Sequence, residues 1–170
     1  MFDQVVTFCA QYLPFVSLAI ALIFIAGLEK LHRVSAVILF TISAGVAFIA
    51  DKILNRLIES PRPFMVNDIA PLFEHSSDNG FPSEHVLLAI LIASVIFIYN
   101  RRLGYILAIL ALIIGSARVI ANVHHPIDVL GGAAIGMISV FCVYLVLSSK
   151  RVRDLLHEKC QINLINRPHK

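Results

Sequence analysis

Charge is scarce in this chain of 170 residues: Asp, Glu, Lys and Arg make up 15% of it, against roughly 25% in an ordinary soluble domain. Cysteine is scarcer still, with three residues, too few for the disulfide framework of a small secreted module. The marks of intrinsic disorder, low hydrophobicity with high net charge, are both missing, since 58% of the residues are hydrophobic and the net charge is +3. No basic block tracks a nucleic-acid backbone. No His-Glu-x-x-His pair marks a zinc-hydrolase helix. A compact water-soluble fold of this length has too little interior for so much apolar surface. What remains is one integral membrane domain.

The charges gather between long apolar runs. Charge-free stretches cover residues 4–28, 34–50, 86–100, 103–117 and 129–149. A bilayer core of about 30 Å takes roughly 20 helical residues, and open sheet edges are not tolerated in lipid. The two middle runs reach that length only by extending over His85 and Arg118, which places both at a membrane edge. The pattern therefore predicts an all-α, polytopic membrane helical bundle of about five transmembrane helices, near 12–30, 34–56, 84–100, 103–121 and 127–149. Residues 1–11 read either as an amphipathic interfacial helix or as the extended start of the first span. No basic region precedes the first apolar run, as it would in a cleavable signal peptide; the first basic residue is Lys30.

Sidedness follows from the basic residues. Lys30 and Arg33 share one short loop and Arg101 and Arg102 another, while Lys150, Arg151, Arg153, Lys159, Arg167 and Lys170 lie in the tail. With five spans these ten fall on one side, expected to be cytoplasmic. The organisation expected is a membrane-embedded domain over 1–149 and a basic cytoplasmic tail over 150–170, resting on anionic lipid headgroups. The remaining four, Lys52, Arg56, Arg62 and Arg118, fall on the opposite face against the rule and need another reason to be there.

That outer face also receives the one long connection, from about Glu59 to Phe81, and connections of this length are usually functional or disordered. Three segments converge there by topology: Ser60-Pro61-Arg62-Pro63, then Phe81-Pro82-Ser83-Glu84-His85, then the stretch from Arg118 through His124, His125 and Pro126 to Asp128. Two guanidinium groups suit bidentate contacts to a phosphate or similar oxyanion. Ser83 sits where a helix opens behind Pro82, and the free N–H groups there favour an anion. A histidine attacks phosphorus when a carboxylate fixes its tautomer, and His124 and Asp128 are four apart. His85, from another helix, is placed to protonate a leaving oxygen. Phosphoryl transfer asks mainly for positioning and charge stabilisation. The rival chemistry is zinc on His85, His124, His125 and Asp128; against it, two arginines would repel a cation.

These segments match a known family. Arg62-Pro63, Pro82-Ser83-Glu84-His85 and Arg118-x5-His124-x3-Asp128 resemble the three motifs of the type 2 phosphatidic acid phosphatase (PAP2) superfamily of membrane lipid phosphatases, over roughly residues 50–137. The resemblance implies a helical bundle with its site at the outer leaflet. It implies His124 as the nucleophile forming a phosphohistidine, Asp128 as its orienting partner and His85 as general acid. Arg62, Arg118 and Ser83 would hold the phosphate, with no metal ion and no cofactor. One departure stands out. The family's first motif usually begins with Lys seven residues before its Arg, and that position is Asn55. Lys52, about one turn away, Arg56 and Asn55 itself are the candidates to replace it. Lys52 reads equally well as an ordinary interfacial anchor.

The Asn at this place and the stretch Pro61-Arg62-Pro63-Phe64 are similar to small bacterial members that dephosphorylate undecaprenyl diphosphate. An isoprenoid diphosphate lipid in a bacterial cytoplasmic membrane is therefore the expected substrate. Phosphatidylglycerophosphate or phosphatidic acid phosphatase activity is the nearest alternative, and a non-catalytic transporter or resistance protein that binds lipid pyrophosphate is the more distant one. Among other residues, Gly132-x3-Gly136 predicts close helix packing, and Pro126 a first helical turn. Glu84 reads as an N-terminal helix carboxylate. His125 shapes its loop; His75, Glu74 and Asp78 read as solvated, with gating of the headgroup by one of them as the alternative; Cys9 and Cys142 read as buried small hydrophobes.

Overall fold

The computed structural model describes residues 1–149; the basic tail from Lys150, Cys160 included, lies outside the described residues. Seven helices are present among them: α1 Phe2–Gln11, α2 Leu13–Gly27, α3 Lys30–Leu57, the single turn α4 Pro63–Val66, α5 Glu84–Tyr99, α6 Arg101–Ile120 and α7 Pro126–Ser148. No strand forms among the described residues; one antiparallel bridge joins Pro61 and Asn79.

Three helices, α3, α6 and α7, are long and apolar enough to cross a bilayer. The α1–α2 pair also qualifies when its two parts are taken together, although they bend by 46°. The bend falls at Tyr12, just ahead of Pro14 in the first turn of α2, where a missing N–H costs least. The apolar helix α5 has 16 residues, about 24 Å at 1.5 Å per residue, short of a full hydrocarbon core. Its place explains its composition. It runs through the middle of the bundle and buries residues on every side, from Val86 to Ile96, so it has no polar stripe. Helices α2, α3, α6 and α7 surround it, and Ile23, Leu112, Leu130 and Ile138 turn outward from them, as chains bathed in lipid do.

Two glycines set the distance between α7 and α5. A Cβ on Gly132 would lie 2.5 Å from the Ser83 carbonyl oxygen, and one on Gly136 would lie 2.5 Å from that of Leu87. Only glycine lets the two backbones approach this closely. The contact has a consequence at the top of the bundle: Ser83 N–H donates to the Asp128 carbonyl at 3.0 Å, locking the start of α5 to the first turn of α7. Cys142 differs from the expectation. It is exposed on the outside of α7, while Cys9 is half-buried. In lipid an apolar side chain gains nothing extra by turning inward, so hydrophobicity alone does not locate it.

The zigzag of helices brings the C-terminal ends of α3 and α6 and the N-terminal ends of α5 and α7 to the same end of the bundle. The 58–83 connection folds over that end and is tied down at several points. Asn79 donates to the carbonyls of Asn55 and Ile58 and accepts from Ser60 N–H. Asn122, in the left-handed region at φ 63°, exchanges amide hydrogen bonds with Asn67 and donates to the Ile69 carbonyl.

Candidate active site

Beneath this connection lies a polar cleft of about 220 Å³. Lys52 and Asn55 of α3, Arg62, His75 and Asp78 of the connection, His85 of α5, Arg118 of α6 and His124 all line it. Arg62, Arg118, His124 and Asp128 are buried, between 0% and 5% exposed. Burial of this many ionisable groups is costly unless each is paired or hydrogen-bonded, and the pairing is specific.

His124 is the centre of it. Its Nε2 lies 3.1 Å from Arg118 Nη2 and 3.3 Å from Arg62 Nη1. A guanidinium can only donate, so Nε2 must be the unprotonated, accepting nitrogen. The ring proton then sits on Nδ1, which faces Asp128 Oδ2 at 3.6 Å. That is ion-pair range but longer than a hydrogen bond; catalytic contacts often tighten only when substrate is present. Burial pushes the His124 pKa below its ordinary value; Asp128 opposes this, and Arg118 and Arg62 reinforce it. The ring is therefore neutral at physiological pH, with a lone pair aimed between two cations.

Asp128 is held as firmly. Oδ1 accepts from the Ser60 hydroxyl at 2.8 Å and Oδ2 from His125 N–H at 2.8 Å. The His125 ring reaches the Pro61 carbonyl at 3.1 Å, so this residue shapes the loop. Pro126 opens α7 as expected, with Asp128 in its first turn.

The arginines are anchored by backbone. Arg62 Nη1 donates to the Val123 carbonyl at 2.9 Å, and Arg118 Nη1 to the Ala10 carbonyl at 3.3 Å. The connection supplies the rest. Asp78 Oδ1 accepts from Arg62 Nε at 2.9 Å and lies 2.8 Å from Nη2. His75 Nε2 lies 2.9 Å from Arg118 Nη2, its ring set edge-on to that of His124. Burial, with Arg62 and Arg118 beside it, pushes the His75 pKa below the ordinary histidine value. Burial pushes the Asp78 carboxyl up, but hydrogen bonds from Arg62 and Ser76 outweigh it and hold the carboxyl below the usual range. The expectation of solvated side chains is thus corrected for His75, which is half-buried against Arg118; Asp78 is exposed as expected, yet it pairs with Arg62.

The remaining candidates separate. His85 faces the cleft and makes no hydrogen bond to a described residue. The Ser83 hydroxyl is fully buried without a partner and does not line the cleft. Asn55 spends its amide N–H on the Phe81 carbonyl at 2.7 Å. Lys52 reaches the rim and pairs with Glu84 at 2.9 Å and Asp51 at 3.0 Å. Arg56 is exposed and is not part of the cleft lining. Ser60 is the residue of the cluster to which sequence reasoning gave no role, and for His75 and Asp78 it offered solvation or gating without naming their arginine partners. Among the described residues, no three His, Cys, Asp or Glu side chains converge as a metal-ligand set.

Residues 33–151 match the model of the PAP2 superfamily. The bacitracin transport permease protein BcrC of Bacillus licheniformis is 34% identical over 148 residues, covering 85% of this chain and 71% of the relative. The undecaprenyl-diphosphatase BcrC of Bacillus subtilis is 34% identical over 117 residues, 66% of this chain and 58% of the relative. Among solved structures, LpxE of Aquifex aeolicus superposes with a TM-score of 0.71 at 26% identity, over 84% of this chain and 85% of that one. A PAP2-type phosphatidylglycerolphosphate phosphatase from B. subtilis superposes at 0.62 and 27% identity, over 84% and 75%.

Proposed function

The chain belongs to the PAP2 superfamily and is a phosphatase, and from that premise we propose that it hydrolyses undecaprenyl diphosphate to undecaprenyl phosphate and inorganic phosphate. The observation that carries the mechanism is the placement of His124 Nε2, 3.1 and 3.3 Å from two buried guanidinium groups. A terminal phosphate that accepts from both would present its phosphorus to the lone pair between them. Nε2 attacks, the bond to the bridging oxygen breaks, and the departing polyprenyl phosphate takes a proton from His85. Asp128 stabilises the charge gained by the ring through Nδ1–H. Water, deprotonated by His85 in turn, then attacks phosphorus and frees His124 and inorganic phosphate. Arg62 and Arg118 stabilise the equatorial oxygens in both steps. No residue among these requires a metal ion.

The choice of substrate draws on the B. subtilis relative named as an undecaprenyl-diphosphatase and on Lys52 at the rim, a further cation for a second phosphate group. The setting we propose is a bacterial cytoplasmic membrane, with α1–α2 and α5 counted as spans to make five, the cleft facing outward and the C-terminus in the cytoplasm. One membrane domain covers 1–149. A glycerolipid phosphatase would use the same machinery. A non-catalytic lipid-pyrophosphate transporter, suggested by the permease name of the B. licheniformis relative, has no use for an oriented His-Asp pair.

The test is phosphate release by the purified protein in detergent with EDTA. Undecaprenyl diphosphate, phosphatidylglycerophosphate and phosphatidic acid are offered side by side, with His124→Ala as control. EDTA-resistant release from the first lipid alone is expected. Preference for a glycerolipid would overturn the substrate, and sensitivity to EDTA would overturn the mechanism.

A further inference from the structure

Both catalytic arginines already have acceptors. Arg62 gives its Nε and Nη2 edge to Asp78 Oδ1, and its Nη1 to the Val123 carbonyl and His124. Arg118 gives Nη2 to His75 and His124, and Nη1 to the Ala10 carbonyl. A phosphate seated on His124 Nε2 needs some of these same N–H groups. The Val123 and Ala10 carbonyls belong to packed backbone and do not move without moving the helices. His124 is the proposed nucleophile. The acceptors left to yield are Asp78, whose side chain is 62% exposed, and the half-buried His75. Both lie on the connection, three residues apart, and Asp78 presents one carboxylate oxygen at 2.8–2.9 Å where a phosphate oxygen would accept.

We propose that Asp78 and His75 are internal stand-ins for phosphate: they occupy Arg62 and Arg118 in the empty site, are displaced together by the arriving headgroup, and return to expel inorganic phosphate after hydrolysis. The arrangement serves two ends. It gives two buried guanidinium groups acceptors between turnovers, Arg118 Nε alone staying without one, when an unpaired buried charge would be costly. It also weakens the hold on product, so that binding energy is not wasted on the ground state. The protonation states fit. His75 accepts from Arg118 as a neutral ring, and Asp78 stays ionised beside Arg62. This inference rests on the reading of Arg62 and Arg118 as phosphate-binding residues.

The test is binding of inorganic phosphate to the full chain in detergent by titration calorimetry, with hydrogen exchange of the 72–79 amides as a second readout. Asp78→Asn is expected to tighten phosphate binding about fivefold, the upper end for a largely exposed charge pair. His75→Phe should tighten it in the same direction. Saturating phosphate should speed exchange over 72–79 in the unaltered protein, a readout that needs no variant to fold. An unchanged or weaker affinity in Asp78→Asn, or slower exchange as the connection closes on the anion, would overturn the proposal. Arg62→Gln separates the two levels. If it binds phosphate as tightly as the unaltered protein, the phosphate-site reading itself fails. If its binding is lost while Asp78→Asn does not tighten, only the displacement proposal fails.

Discussion

Replacing Gly132 with alanine adds one methyl group where the two halves of the site meet. Its Cβ would lie 2.5 Å from the Ser83 carbonyl oxygen, 3.2 Å from Leu87 N and 3.3 Å from the Ser83 carbonyl carbon. Ordinary contact begins near 3.4 Å, so the backbones must part by about 0.9 Å. Nothing yields cheaply, because all three atoms are main chain of α5. In an unhindered helix the same change stabilises, by about 1 kcal/mol. Here overpacking costs about 1–3 kcal/mol, which offsets that gain and leaves a net destabilisation of up to about 2 kcal/mol. The larger effect is catalytic. The shift pulls Ser83 away from the Asp128 carbonyl and moves His85 relative to His124, and a displacement of about 1 Å in such a constellation costs on the order of a hundredfold in rate. Gly45→Ala is the control, since a Cβ there meets nothing within 4 Å; it should melt at or above the unaltered protein and keep full activity. Melting in detergent and phosphate release check both variants. Gly132→Ala with unaltered melting and rate would refute the argument that close α5–α7 contact positions the site.

Other outcomes follow from the same geometry. Ser60→Ala removes the hydroxyl that donates to Asp128 Oδ1 at 2.8 Å; a hydrogen bond to a charge is worth about 1.5–3 kcal/mol when buried, and this one, part-buried, should cost about tenfold in kcat with KM unchanged and Ser60→Thr restoring it. Lys52 is half-exposed and tied to Glu84, so Lys52→Met should raise KM for the diphosphate about three- to fivefold with kcat preserved, while Arg56→Gln changes neither. The pKa of His124 is pushed down by burial and by the arginines. Protonation removes the nucleophile, so the acid limb of kcat/KM should lie below about pH 6.5, the ordinary histidine value. Removing one cation in Arg118→Gln should move that limb upward in whatever activity remains. An acid limb above 6.5 in the unaltered protein would contradict the neutral-ring assignment.

The helices were legible because long charge-free runs leave lipid-spanning structures few alternatives, and α3, α6 and α7 begin and end within a few residues of the expected bounds. The break at Tyr12 agrees with one of the two readings of residues 1–11, a separate helix ahead of a span from about 12; the charge-free pattern from Gln4 to Leu28 did not choose between them. The outward position of Cys142 was also hidden, because a helix apolar all round does not reveal which side faces lipid. In the site, His85, Arg118, His124 and Asp128 were legible because spacing along helix ends brings them to one face. Ser60, His75 and Asp78 lie in a connection without periodicity, and their partners are 68, 43 and 16 positions away. Only the folded connection makes them neighbours.

The central claim is covalent: phosphate passes through His124. Undecaprenyl diphosphate labelled in its terminal phosphate, quenched within one turnover by denaturation at alkaline pH, should leave an acid-labile label on the peptide that carries His124. The label should be absent in His124→Ala and should persist longer in His85→Ala, where water is no longer activated. Label on another residue, or turnover at full rate with His124 never labelled, would contradict the account.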